Sequence, residues 1–225
     1  MKNIFSNSFA LYFSEFYKIV LVSLVTYAPL LIAHALIVNY IYKATLYTEY
    51  PNLIGDTANA IFMLTFLTVG QVPFIKFTLL DGEGEDNPIK RSLAFTLEKV
   101  IPLYIFACIY ALLICVGGLF FIIPGLLVLF LFYFVPFFIA DNTMTFRSAI
   151  KKSASFLKKN LIKVCLLIVL LSIVQLFFEN VLVTLLSFYT DVYITLLILK
   201  ILFLILILPL QTIIVANIYK EWKPG

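Results

Sequence analysis

Glu179 and Lys200 each interrupt a long apolar stretch that is otherwise free of charge. A charged side chain near the centre of a bilayer is costly, and such residues usually pair or face a cavity. If the chain reverses near Tyr189-Thr190, the two lie 10 to 11 residues from the turn on antiparallel helices. At ~1.5 Å rise per residue they then share a depth of roughly 15 Å. The chemistry this offers is an intramembrane ion pair along a substrate or proton path. The plainer alternative is a structural pair, or a snorkelling lysine beside a frayed helix end. His34, the only histidine, is a third candidate for such a path. It lacks carboxylates three or four residues away and so does not form a metal site. A hydrogen bond to a neighbouring helix is its simpler expectation.

Other groups offer less. Cys108 and Cys115 lie seven residues apart on one helical face, where packing outweighs soft-metal binding. With Cys165 they make three thiols in apolar runs, which is no disulfide framework. The acidic run Asp81–Pro88 has Asp86 and Ser92 where a calcium loop requires glycine and glutamate. It reads as a solvated turn, with Asp86 or Asn87 capping the helix after Pro88. No metal or cofactor is expected. The chain has no P-loop, no HExxH, no G-x-S-x-G and no dinucleotide-binding glycine fingerprint. An enzyme is therefore not expected.

The elements that must position these residues follow from composition and charge spacing. Hydrophobic residues make up 63% of the 225 and charged residues 12%, against about 45–50% and about 25% in soluble domains. That much apolar surface cannot be covered in water. Disorder is excluded by the same hydrophobicity, and a porin-type barrel by the lack of apolar–polar alternation. A polytopic all-α membrane protein remains, read as a single integral domain over 1–225.

A span needs about 20 mainly apolar residues. Charge-free windows supply Ile19–Tyr42 and Thr57–Ile75 as the first two spans, and Val100–Ala140 as two more with a turn inside. That turn belongs somewhere in Gly117–Gly125, where Gly117-Gly118 and Pro124-Gly125 compete as helix breaks. The fifth and sixth spans flank Tyr189-Thr190. The connections alternate in charge. Fourteen Lys and Arg fall on one side and only Lys43 on the other, which puts both termini in the cytoplasm. The first residues show no removable signal peptide.

The six spans group as three hairpins, each preceded by a similar segment. Ser8-Phe9-Ala10-Leu11, Ser92-Leu93-Ala94-Phe95 and Ser153-Ala154-Ser155-Phe156 superimpose as sequences. Apolar residues recur around them at helical spacing, as in Phe5, Phe9, Tyr12 and Phe16. Each segment is expected to be an amphipathic helix lying in the interface. The repeat-like units are 1–80, 81–140 and 141–225. In the third unit Arg147, Lys151, Lys152, Lys158 and Lys159 form a basic face suited to anionic lipid of the cytoplasmic leaflet. A face tied to the membrane does not suit nucleic acid.

Gly118-Leu119-Phe120-Phe121-Ile122-Ile123-Pro124-Gly125, then Val135-Pro136, then Arg147-Ser148-Ala149-Ile150-Lys151-Lys152-Ser153 resembles the YciC-like uncharacterised bacterial inner-membrane family. That superfamily includes the membrane domain fused to some glycerophosphodiester phosphodiesterases. The chain departs from the pattern in having Arg147-Ser148 where an acidic residue precedes the alanine. The resemblance covers about 87–163 and implies a six-helix protein of the bacterial inner membrane, with no catalytic residue. The first expectation is a non-enzymatic role in envelope homeostasis or as an accessory or assembly subunit. The second is a transporter or exporter component moving a small molecule, peptide or lipid, in which amides after Gly125 would hold an anion. A phospholipid-handling enzyme has only fold analogy behind it. Partners follow the same division: a second copy of the chain, or a membrane or ATPase subunit.

Overall fold

The computed structural model describes residues 2–141, 145–189 and 192–222. Among them the chain is all helical, in the order α1 (Lys2–Ser14), α2 (Phe16–Ala44), α3 (Pro51–Gly70), α4 (Val72–Gly82), α5 (Pro88–Phe120), α6 (Ile122–Phe132), α7 (Val135–Asp141), α8 (Phe146–Ser187) and α9 (Tyr193–Trp222). Six segments are long and apolar enough to cross a membrane: α2, α3 with α4, α5, α6 with α7, α8 and α9. The chain is a multi-pass membrane protein.

Consecutive spans run antiparallel. Tyr42 near the end of α2 meets Asp56 near the start of α3. Further along the same pair, His34 bonds Asn59. On the next pair Tyr110 of α5 donates to the Leu129 carbonyl of α6 at 2.7 Å. Lys163 of α8 sits over the Trp222 ring of α9, while Glu179 meets Lys200 further along. The expected turn at Tyr189-Thr190 lies partly outside the described residues, which omit Thr190.

Several boundaries differ from those set by charge. Asp56 and Lys76, taken as the ends of a span, lie inside α3 and α4. Lys76 is accommodated because its ammonium donates to the Ala140 carbonyl at 2.8 Å and lies over the Phe95 ring. Of the three expected interfacial helices only α1 is separate. The second continues through Val100 into α5, whose first internal proline is Pro102. The third is continuous with α8, with a kink at Asn160 (φ −125°, ψ 23°). A charged residue at the interface does not by itself end a helix; a missing amide proton or an unsuitable backbone angle does. Asn87 precedes α5 in the left-handed region at φ 53° and makes no side-chain capping bond, so the expected cap is absent there.

The second member of each pair carries a proline within its length. Gln71 separates α3 from α4, with Pro73 in the first turn of α4. Tyr133 and Phe134 separate α6 from α7, with Pro136 just beyond. Pro209 lies inside α9. A proline leaves a carbonyl one turn earlier without its amide partner, and no water in the hydrocarbon can serve it. A hydroxyl from a neighbouring helix takes that place at Pro209, and another bonds beside the α6–α7 break. Ser23 donates to the Ile205 carbonyl, four residues before Pro209, at 2.7 Å. Ser153 donates to the Leu131 carbonyl beside the α6–α7 break at 2.6 Å. The three serines that align in sequence, Ser8, Ser92 and Ser153, are all fully buried at 0%, 1% and 0% exposure.

Burial is concentrated at the end where the basic segments gather. Phe134, Phe137 and Phe138 pack with Phe156 of α8 and Tyr219 of α9, with Phe134–Phe156 centroids 4.8 Å apart and Phe138–Tyr219 centroids 5.1 Å apart. Tyr219 donates to the Asp141 carboxylate at 3.0 Å. α1 is tied to the same end by Asn217, which donates to Ser8 Oγ at 2.9 Å. Toward the opposite end the helices separate, and Phe120, Phe121, Ile122 and Ile123 are at least 70% exposed.

Candidate functional site

The interruptions of the spans surround a chamber of about 220 Å³. From Gln71 to the end of α4, and from Gln211 to the end of α9, there are eleven residues. At ~1.5 Å per residue both glutamines lie ~16 Å from the basic end, near the middle of a ~30 Å hydrocarbon core. α8 contributes Ser172 and Gln175, α3 contributes Thr68, and α9 adds Thr212 beside Gln211. Tyr27, Tyr110 and Tyr133 also line the chamber, and no ionisable acid or base other than these phenols does.

Part of this polar lining is internally bonded. Thr68 donates to the Leu64 carbonyl at 2.7 Å and Thr212 to the Leu208 carbonyl at 2.9 Å. Gln211 makes a long bond of 3.5 Å to the Leu171 carbonyl. The carboxamides of Gln71 and Gln175 and the hydroxyl of Ser172 make no bond to other described residues. A carboxamide offers two donors and two acceptor sites. Gln71 and Gln175 are half-buried and Ser172 is exposed, so all three are open to water. They can bond water or a polar ligand in the chamber, and the volume accommodates several waters at roughly 30 Å³ each.

The charged candidates lie outside this space. Lys200 Nζ lies 2.5 Å from Glu179 Oε1, with side chains 41% and 20% exposed. Ser172, Gln175 and Glu179 recur at three- and four-residue steps and share one face of α8. The ion pair thus sits one helical turn beyond Gln175, on the side away from the basic end. His34 Nε2 is 2.9 Å from Asn59 Oδ1, the bond to a neighbouring helix expected for it. None of Glu179, Lys200 and His34 is among the residues that line the chamber.

The helix-break candidates take a different role from the one expected. The turn is Phe121 alone, extended at φ −156° and ψ 140°. Pro124 lies in the first turn of α6, where its missing amide proton leaves nothing unbonded. Gly117 and Gly125 serve close approach of α5 and α6, whereas a Cβ on Gly118 would meet nothing within 4 Å. A Cβ on Gly125 would meet the Gly118 nitrogen at 2.8 Å and the Ile114 oxygen at 2.9 Å. The expectation of an anion held by amides after Gly125 is corrected. α6 starts at Ile122, and from Leu126 onward the amides bond within the helix.

Arg147, Lys151, Lys152, Lys158 and Lys159 are all exposed along the first turns of α8. Among the described residues no three His, Cys, Asp or Glu side chains group as metal ligands.

Charged residues, histidine and cysteine inside the spans do not mark the chamber, because its polar lining is neutral. The signal available was the neutral polar stripe Ser172-Gln175 on α8 and the pair Gln211-Thr212 after Pro209. Comparison with protein-family models, with curated proteins and with solved structures finds no match for this chain.

Proposed function

We propose that this is a non-enzymatic protein of the bacterial inner membrane that takes a small, neutral, polar solute into the chamber between its spans, as a transporter or a transporter component. The observation that carries this reading is the set of unbonded amide and hydroxyl groups at mid-depth, Gln71, Gln175 and Ser172. The absence of a formal charge on the lining favours an uncharged solute. Helix breaks at the same depth give the walls hinges, as broken helices do at transporter sites. The charge distribution supports a cytoplasmic basic end with both termini there. The exposed basic face of α8 supports contact with anionic lipid. The resemblance to the YciC-like family accords with an inner-membrane location.

The test is uptake into proteoliposomes of glycerol and of glucose, as neutral polar probes of two sizes. Uptake of at least one probe above that of protein-free vesicles is expected, falling at least fivefold in the double variant Gln175→Leu with Gln211→Leu. Uptake equal to that of empty vesicles for both, or unaltered in the folded double variant, overturns the reading. A role as an accessory subunit or in envelope homeostasis would then take its place.

A further inference from the structure

A second cavity, of about 370 Å³, opens on the flank of the molecule between α5, the end of α6 and the start of α8. Its lining is wholly apolar and includes Pro102, Phe106, Ile109 and Leu113 along α5, closed on one side by Phe146 and Ile150 of α8. Phe106 and Phe146 hold the two helices together with ring centroids 6.0 Å apart. From Pro102 to Leu113 the groove follows α5 for eleven residues, or ~16 Å at ~1.5 Å each. That is about half of a ~30 Å hydrocarbon core, the depth of one leaflet.

The charge at its mouth is net positive. Arg147 and Lys151 each follow a groove-lining residue, Phe146 and Ile150, and both are exposed. They lie four residues apart, on one row of α8 beside the groove. Glu98, one turn before Pro102, is the carboxylate on the facing helix, and it is held by Lys99 at 2.5 Å, leaving that side balanced. Among the described residues neither Arg147 nor Lys151 forms an ion pair, so the mouth carries two cations above an apolar slot one leaflet deep.

We infer that this groove is a specific seat for one anionic phospholipid of the leaflet at the basic end. One acyl chain lies along α5 from Pro102 to Leu113, and the phosphate is held between Arg147 and Lys151. A guanidinium binds phosphate oxygens in bidentate fashion and an ammonium adds a point charge. The site differs from general attraction to anionic lipid in having a shaped slot and a fixed stoichiometry. It does not depend on the chamber reading.

The test is native mass spectrometry of the full chain, delipidated and titrated with phosphatidylglycerol or phosphatidylcholine of equal chain length. The expected result is one retained phosphatidylglycerol, bound at least fivefold more tightly than phosphatidylcholine. Arg147→Gln with Lys151→Gln should abolish that preference while leaving the fold intact, since both side chains are exposed. Lys43→Gln with Lys90→Gln removes the same charge elsewhere, Lys90 standing twelve residues before Pro102, and should keep the preference. Ile109→Trp, which fills the slot, should weaken retention of both lipids. Equal retention of the two lipids by the natural sequence would show annular lipid only and overturn the proposal. So would an equal loss in the site pair and in the control pair.

Discussion

The basic end and the opposite end of this molecule are built from the same apolar residues and behave as different materials. At the basic end, α1, α4, α7, the start of α8 and the end of α9 meet around Phe134, Phe137, Phe156 and Tyr219, all buried. At the other end, α5 with α6 and α8 with α9 stand as pairs whose outward side chains, such as Phe121 and Leu185, are exposed. Hydrophobicity cannot drive helices together inside lipid, because lipid tails are as apolar as leucine. Close packing and polar bonds must do so, and they are concentrated at the basic end. The chamber lies where one regime gives way to the other, at the depth of Gln71 and Gln211.

Mutation should separate the two ends. The largest effect is expected at the packed end, where Phe134 is fully buried among aromatic rings. Phe134→Ala should cost ~3–5 kcal/mol, read as a lower midpoint of unfolding in mixed detergent micelles. Phe121→Ala at the exposed tip should shift that midpoint by no more than ~0.5 kcal/mol. Comparable losses at both positions would erase the distinction between the two ends.

The ion pair supplies an intermediate effect. Glu179→Gln removes the partner that lies 2.5 Å from Lys200, at a cost of ~1–2 kcal/mol for a lost polar bond between helices in the membrane. The charge-swapped double variant, Glu179→Lys with Lys200→Glu, should recover most of the loss in the same unfolding measurement. A double variant no better than the worse single one would mean that the pair contributes nothing to holding α8 against α9 at the looser end.

Charge made much of this architecture legible. The six spans follow from charge-free windows because a charge inside hydrocarbon costs several kcal/mol and is seldom placed there. The meeting of Glu179 with Lys200 follows from equal counting from one turn. What charge could not reveal is where a helix tolerates an exception. Lys76 enters a span because Ala140 at the end of α7 offers its carbonyl, a contact between residues 64 positions apart. The chamber was hidden for a related reason. Gln71, Gln175 and Gln211 are neutral, lie on three different spans, and converge only through tertiary packing. The prolines marked the place, since Pro73 and Pro209 each lie two residues from one of these glutamines.

A hydrated chamber, as proposed, brings water to Gln175 in the middle of the membrane while other positions on the same helix face lipid. In a variant lacking Cys108, Cys115 and Cys165, a single cysteine at position 175 can be compared with one at Leu170, which is exposed on α8. Water-soluble thiosulfonate reagents require the thiolate, which does not form in hydrocarbon. Rapid labelling of Gln175→Cys with little labelling of Leu170→Cys is the result expected here. Equal resistance of the two cysteines to the reagent would contradict a hydrated chamber.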